Sequence, residues 1–247
     1  TAYSWTINSF FSRVNYAFDN KYLIEGTLRG DGVSRYAKGY RWGWFPGVSG
    51  AWRLGEEQFM KDLSIFDDLK IRASYGQMGN QLGNQYYDYI AFMAINRSAG
   101  KDVYYPFGNG LKGQMYKAKN LVSTERTWET VYTTDIGVDF SILNNRLYGS
   151  FDYFWKENKN MLILKAYPKM LGIDPPTTND GHLKINGWEI VLGWRDRIGD
   201  VSYSIKGSLS DAKNEMVERA GDQLIQLGLN TSPNGYPLNS YFGYEFD

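Results

Sequence analysis

The stretch WETVYTTDIGVDFSILNNRLYGSFDYFWK, residues 128–156, decides the fold of this chain. Its even-numbered residues from Thr130 to Phe140 are apolar or uncharged, whereas charge and glycine gather at odd positions. An asparagine-containing turn at 143–146 follows, and the alternation then resumes from Leu147 to Lys156. Because successive side chains of a strand point to opposite faces, this stretch predicts a β-hairpin with one apolar and one polar face.

Strands of this length, with aromatic residues near their ends and charge on one face, are typical of transmembrane β-barrels. The same alternation predicts about eight strands, near residues 10–18, 21–30, 42–54, 68–76, 128–140, 147–156, 184–195 and 201–210. The predicted fold class is therefore all-β: an antiparallel transmembrane β-barrel sector with long extracellular loops.

The predicted connections differ in length. Short turns are expected at 19–20, 141–146 and 196–200, and longer segments at 31–41, 77–126, 157–183 and 211–247. Outer-membrane barrels combine short periplasmic turns with long extracellular loops. Inside the third strand, Pro46 cannot donate a ladder hydrogen bond, which predicts a β-bulge there.

The segment 55–67 departs from the strand pattern. Phe59, Met60, Leu63 and Phe66 have helical spacing, which predicts one or two helical turns on the periplasmic side. A short helix that caps the barrel rim is the favoured interpretation, and a membrane-associated helix is the alternative.

The composition limits the classes of function. The 247 residues carry a formal net charge of zero, so no electrostatic argument favours a nucleic-acid partner. The absence of cysteine excludes disulfides and thiolate chemistry. Tyrosine and tryptophan are abundant, and both favour surfaces that are apolar at one end and wet at the other. The sequence contains no run of about 18 apolar residues, so it predicts no transmembrane helix.

The signals for catalysis or a cofactor are weak. His182 is the single histidine, expected in a solvated polar loop, and no serine lies in a nucleophile-elbow pattern. Asp174, Asn179 and Asp180 are oxygen ligands that Ca²⁺ accepts, but they lack EF-hand spacing. The sequence therefore predicts no enzyme, no cofactor and no metal site.

Several segments together resemble the SusC/RagA family of TonB-dependent outer-membrane transporters of Bacteroidetes. They follow one another in the family's order. These segments are NYAFDNKYL (15–23), LRGDGVSRY (28–36), RWGWFPGVSGAWR (41–53), LKIRASYGQMGNQ (69–81), Trp128-Glu129, DIGVDF (135–140), NRL (145–147) and DAKNE (211–215).

The resemblance implies a location in the cell outer membrane and a barrel of probably 22 strands around a plug domain. Residues 1–247 are expected to be a C-terminal part of the barrel domain, without the plug, the N-terminal region and the final strands. The resemblance also implies a SusD-like surface lipoprotein that acts as a lid. Energy for transport would come from TonB–ExbB–ExbD through the missing plug. The implied function is active import of oligomeric nutrients, either oligosaccharides or peptides.

Two residue sets are candidates for function within that frame. The tyrosines of the 77–126 loop suit sugar rings or peptide side chains, although packing within the loop or against the lid is the favoured interpretation: Tyr86, Tyr87, Tyr89, Tyr104 and Tyr105. A second set is expected to face the lumen, in ion pairs that line the wall or contact the plug: Arg13, Glu25, Arg29, Arg72 and Glu129.

Two other functions stay open. A SusC-like barrel without a TonB-contacting segment would serve as a structural scaffold subunit of a larger outer-membrane assembly. A self-contained eight-strand barrel would be a small passive pore or, less consistently with the composition, a barrel enzyme.

Overall fold

One antiparallel sheet of eight long strands organises the molecule. The computed structural model describes residues 4–81, 89–91, 93–95, 97–98, 101–106, 108, 112–118, 121–164, 170, 172–173, 176–220 and 230–244. Within these residues, no helix has both the length and the apolar character needed to cross a membrane.

The first half of the sheet contains β1 (Ile7–Phe18), β2 (Tyr22–Val33), β3 (Trp42–Arg53) and β4 (Phe66–Asn80), each paired with the next. Asp19 and Asn20 join β1 to β2 with φ values of 50° and 51°. Positive φ at both central residues is the geometry of a tight hairpin turn, and aspartate and asparagine tolerate it well. The short turn predicted at 19–20 is therefore confirmed.

A short helical segment joins β3 to β4. It consists of a 3₁₀ turn (Leu54–Glu56) and the helix α1 (Gln58–Leu63). The prediction of one or two helical turns within 55–67 is confirmed. Ser64 ends the helix in the left-handed conformation, with φ of 50°.

Six short strands follow β4 and pair with one another outside the large sheet. They are β5 (Met93–Ile95), β6 (Arg97–Ser98), β7 (Lys101–Asp102), β8 (Tyr104–Pro106), β9 (Lys112–Gln114) and β10 (Tyr116–Ala118). The pairs are β5 with β10, β6 with β7 and β8 with β9. The described part of the 77–126 segment is thus partly structured, where the sequence indicated a single loop.

The second half of the sheet contains β11 (Glu129–Ile142), β12 (Leu147–Leu164), β13 (Thr177–Ile198) and β14 (Val201–Arg219). Two short strands, β15 (Asn230–Thr231) and β16 (Ser240–Tyr241), follow and pair with each other. The loop predicted at 157–183 begins too early and ends too late, and the loop predicted at 211–247 begins too early. Backbone pairing continues where the sequence no longer alternates: in β12, residues 157–160 are all polar and residues 161–164 are all apolar. The alternation that marks a strand therefore disappears before the strand ends.

The register separates the side chains of the large sheet into two faces. One row across seven neighbouring strands reads Tyr22, Trp52, Ile71, Val138, Phe151, Ile190 and Leu209. We call this side the apolar face. The row that passes through Glu25, Ser49, Ser74 and Asp135 lies on the opposite side, which we call the polar face.

The two ends of the sheet also differ. We call the end with the tight turns and α1 the turn end, and the opposite end the loop end. A buried cluster of Val33, Tyr36, Phe45 and Trp128 lies at the loop end. The Trp128 indole Nε1 donates to the Arg41 carbonyl oxygen at 3.0 Å, which attaches the chain before β11 to the chain before β3.

The β-bulge predicted at Pro46 is wrong. Pro46 pairs with Leu28 in an unbroken β2–β3 register. The β3–β4 ladder begins only at Gly47, so Pro46 lies where β3 separates from β4. No partner strand needs the missing donor on that side, and the proline is accommodated without a bulge. An irregularity occurs instead between Ser141 and Ile142, opposite the start of β4.

Candidate functional site

Arg72 is the centre of the largest charge cluster on the polar face. Its guanidinium lies 3.2 Å from Asp135 Oδ1 and 3.2 Å from Asp139 Oδ2, and it also pairs with Asp152. Lys70 adds a second cation, with Nζ 2.8 Å from Asp139 Oδ2. Two cations and three carboxylates therefore share one region across β4, β11 and β12, and the planar guanidinium can serve several carboxylates at once.

Gly137 makes room for this cluster. It pairs with Arg72 on one side and with Asp152 on the other. A Cβ atom at this position would lie 2.3 Å from Asp152 Oδ1 and 2.8 Å from the Arg72 Cζ atom. A side chain at residue 137 would displace the ion pair, so glycine is required for the close approach.

Sequence reasoning found Arg72 and missed its partners as site residues. The alternation of β11 places Asp135 and Asp139 on the same face, two positions on either side of Gly137. The tight turn after Ile142 sets the hairpin register and brings Asp152 opposite Gly137. The hairpin register, counted outward from that turn, is the feature of the sequence that predicts all three carboxylates.

The other predicted residues near β1 and β2 form smaller pairs on the same face. Arg13 Nε lies 3.6 Å from Glu25 Oε1, and Arg29 Nε lies 2.7 Å from Asp31 Oδ2. Both side chains of the Arg13–Glu25 pair are exposed, so that pair contributes little to stability, whereas the Asp31 carboxylate is buried. A groove of about 490 Å³ lies beside Glu25 and extends to Arg72 and Asp135.

Glu129 has a different environment from the other residues predicted to face the lumen. It is buried, and its two carboxylate oxygens accept hydrogen bonds from the Asn80 side chain and the Leu162 backbone N–H, both at 2.8 Å. This carboxylate therefore links β4, β11 and β12 at the loop end, and it lies outside the Arg72 cluster.

Asn179 also connects segments at the loop end. Its Oδ1 accepts from the Thr127 N–H at 2.9 Å, and its Nδ2 donates to the Asn160 carbonyl at 2.8 Å. These bonds occupy the amide that was considered as a calcium ligand. Asp174 lies outside the described residues, and the described part of the chain contains no His/Asp/Glu group that fits a metal ion.

The prediction that His182 lies in a polar loop is wrong. His182 belongs to β13, and its Nε2 is 3.4 Å from Glu157 Oε2 on β12. The error has the same cause as the misplaced loop ends: β12 and β13 remain paired through a stretch in which apolar and polar residues no longer alternate and the register shifts twice.

The structure describes three of the five loop tyrosines. Tyr86 and Tyr87 lie outside the described residues. Tyr89 is half-buried in a turn. Tyr104 and Tyr105 belong to the β8–β9 hairpin and are 47% and 57% exposed. The two hairpin tyrosines are accessible to a ligand or partner, whereas the contacts predicted for the set remain untested.

Glu57 forms a contact at the turn end that sequence reasoning did not identify. The Tyr22 hydroxyl and the Trp52 Nε1 donate to Glu57 Oε1 at 2.8 Å and 3.1 Å, and Lys21 Nζ lies 3.3 Å from Oε2. The bonds from Tyr22 and Trp52 stabilise the ionised carboxylate and lower the pKa of Glu57. The partners come from β2 and β3, so Glu57 attaches the start of α1 to the sheet.

Comparisons with known proteins agree with this architecture. Residues 1–241 match the family described as TonB dependent receptor-like, beta-barrel. The TonB-dependent receptor SusC of Bacteroides thetaiotaomicron is 31% identical over 99% of this chain, and the TonB-dependent receptor P26 of Formosa agariphila is 30% identical over 90%. The structure of the RagAB peptide importer in the closed-closed state superposes on 96% of the chain with a TM-score of 0.80 at 24% identity.

The matched region is a fraction of each relative. The chain spans 26% of SusC, 22% of P26 and 25% of the superposed importer chain. The recognition made from the motifs, the antiparallel barrel fold and the outer-membrane location are confirmed by these matches. The chain belongs to the β-barrel family of TonB-dependent receptors, and it resembles the SusC and RagA members of that family.

Proposed function

We propose that the protein containing this chain is a SusC-like, TonB-dependent importer of the outer membrane, and that residues 1–247 form part of its barrel wall. In this assignment the polar face lines the lumen and the apolar face contacts lipid. Arg13, Glu25, Arg29, Arg72 and Glu129 then face the lumen, where charged side chains are ordinary in large barrels.

The spacing of aromatic residues on the apolar face is the observation that carries the proposal. Trp42 and Trp44 stack near the loop end, with ring centroids 6.4 Å apart, and Tyr22 stacks on Trp52 near the turn end at 6.2 Å. Trp42 and Trp52 are ten residues apart in β3, or roughly 33 Å along a strand at about 3.3 Å per residue.

A strand tilted by about 40° would place these two aromatic groups roughly 25 Å apart along the membrane normal. That distance matches the height of the apolar band of outer-membrane barrels, which aromatic girdles border on both sides. Val48 lies between the two groups on the same face and is exposed. This pattern supports a lipid-facing surface. The longer connections at the loop end favour an orientation with that end outside the cell and the turn end in the periplasm.

The relatives and the exposed loop tyrosines support a proposal for the transported material. We infer oligosaccharides or peptides as substrates, since one relative is named SusC and the superposed structure is a peptide importer. Tyr104 and Tyr105 would contact the substrate or a SusD-like lipoprotein lid. TonB–ExbB–ExbD would supply energy through a plug domain, which lies outside these residues.

Deletion of the whole gene tests the import function. The deletion strain should fail to grow on one oligomeric nutrient while growing normally on the corresponding monomer, and the intact gene should restore growth. Wild-type uptake of every oligomeric nutrient would contradict import. If uptake persists while other outer-membrane proteins disappear from the membrane, the scaffold alternative replaces the importer.

A further inference from the structure

The segment 54–66 has an apolar side that the described protein leaves uncovered. Phe59 and Leu63 are 55% and 57% exposed, and Ile65 is 58% exposed. Phe59 and Leu63 are four residues apart on α1, so they lie on the same side of the helix. An exposed apolar side on a short helix has to find an apolar environment elsewhere.

The charged side chains of α1 and of the turn before it have polar partners, within the segment or at the end of the sheet. Lys61 Nζ lies 2.8 Å from Glu56 Oε2, and Arg53 Nη2 lies 3.5 Å from Glu56 Oε1. Gln58 donates to Asp62 Oδ1 at 3.1 Å. The segment is therefore amphipathic: its polar groups bond to one another and to the end of the sheet, and three of its apolar side chains are more than half exposed.

Both ends of the segment are attached to the apolar face of the sheet. At the start, Glu57 binds Tyr22 and Trp52, which belong to the aromatic group near the turn end. At the end, Phe66 pairs with Ile142, and that row continues through Leu147. These attachments place the start and the end of the segment beside the lipid-facing band at the level of its border. The Arg53–Glu56 pair lies at the end of the polar face, so it holds the polar side of the segment away from the lipid-facing band.

We propose that the segment 54–66 is an interfacial lipid anchor, in which Phe59, Leu63 and Ile65 enter the acyl-chain region of the leaflet at the turn end. The ligand is phospholipid. The argument is continuity: the exposed side chains extend a surface that already contacts lipid, and aromatic belts and amphipathic helices occupy this depth of a bilayer. The inference rests on the proposed assignment of the apolar face to lipid.

Site-directed spin labelling of the full-length protein tests the anchor. Single cysteines are introduced at Leu63, Gln58 and Ile24 in a cysteine-free background, labelled with a nitroxide and reconstituted in phosphatidylethanolamine–phosphatidylglycerol vesicles. Collisions with oxygen report lipid exposure, and collisions with a water-soluble nickel chelate report water exposure. Ile24 is the control for the lipid-facing band, and Gln58 is the control for the polar side of α1.

We expect the label at Leu63 to resemble that at Ile24, with a high oxygen and a low nickel collision rate, and the label at Gln58 to show the reverse. A water-exposed Leu63 beside a lipid-exposed Ile24 overturns the anchor and leaves the proposed function intact. A water-exposed Ile24 overturns the assignment of the faces itself. Low collision rates with both reagents at Leu63 indicate a protein neighbour and contradict a lipid ligand.

A second variant keeps the test independent of labelling. The double substitution Phe59→Ser with Leu63→Ser removes the apolar side and leaves the ion pairs of Glu56 in place. We expect loss of protection at Lys61, so that trypsin added on the turn-end side of the vesicle cleaves there. Equal protection in the parent protein and the variant would contradict lipid insertion.

Discussion

The two ends of the sheet place similar side chains in opposite environments. At the loop end, Tyr36, Phe45 and Trp128 are buried against one another by protein. At the turn end, Leu63, Ile198 and Val201 are more than half exposed. The loop end thus has a protein core of its own, whereas these apolar side chains at the turn end are left uncovered by the described residues and would be covered by the lipid proposed for the apolar face.

Connection length accounts for part of this difference. Apart from the segment that contains α1, the turn end has hairpins of a few residues, which are too short to cover the neighbouring side chains. The loop end has strands that continue beyond the apolar band and segments that pack over them, such as the chain around Tyr36 and Thr127. A long strand that leaves the bilayer needs protein contacts of its own, and Glu129 and Asn179 provide them.

The largest expected effect is a difference in the free energy of unfolding between two tryptophan substitutions. Trp128→Ala should lower the free energy of unfolding by about 3–5 kcal/mol, since it leaves a cavity between Tyr36 and Phe45. The matched control is Trp44→Ala, at a position 57% exposed on the apolar face, where the loss should be clearly smaller. Denaturant unfolding of the full-length protein in detergent measures both, and equal losses would contradict the contrast between a buried and an exposed aromatic.

The second effect concerns the charge cluster of the polar face. Arg72→Met should cost about 1–3 kcal/mol of unfolding free energy, because three carboxylates lose their shared partner. Adding Asp135→Asn and Asp152→Asn to Arg72→Met should recover much of that loss, since the repulsion is removed. A triple variant no more stable than Arg72→Met alone would show that carboxylate repulsion is not the cause.

Two glycines on the polar face provide a third, matched pair. Gly137→Ala should lower the free energy of unfolding by about 1–2 kcal/mol, because the new methyl group collides with Asp152 and Arg72. Gly76→Ala introduces the same methyl where no atom lies within 4 Å, and it should be neutral or gain up to about 1 kcal/mol. Denaturant unfolding of the two variants under identical conditions measures both changes. A larger loss of stability in Gly76→Ala than in Gly137→Ala would contradict the prediction.

The smallest effect is a pH dependence at the turn end. The pKa of Glu57 is lowered in the folded protein, chiefly by its bonds from Tyr22 and Trp52. The contact therefore contributes fully above the unfolded carboxyl pKa of about 4.3 and is lost as the pH falls through the lower, folded value. A nitroxide at Gln58 should gain mobility as the pH drops below about 4.

The control for this measurement is Glu57→Gln, which retains a hydrogen-bond acceptor and does not titrate. Its label should show no mobility change over the same acid range. Glu56 also has a lowered pKa, because Lys61 donates to it, so an unchanged transition in Glu57→Gln would assign the pH dependence to Glu56 instead.

The sequence predicted the membrane-embedded part of the fold well. Turn positions such as 19–20 and 143–146 and the centres of all eight strands are confirmed, because alternation is strong wherever one face contacts an apolar medium. Beyond that region the residues no longer alternate, so the sequence predicts a loop around His182, which in fact belongs to β13. The carboxylates around Arg72 depend on register across three strands, and a search for local motifs does not reveal such a register.

The pairing of β4 with β11 separates two kinds of sequence change. These strands are far apart in the chain, and their register is fixed by pairing along their whole length and by the tight turns at the other end. Residues can therefore be added or removed between them without moving any side chain from one face to the other. One residue lost at the 143–146 turn would instead reverse the faces of a strand. Insertions and deletions should accumulate in the 81–128 segment, so that ligand preference diverges while the wall stays unchanged.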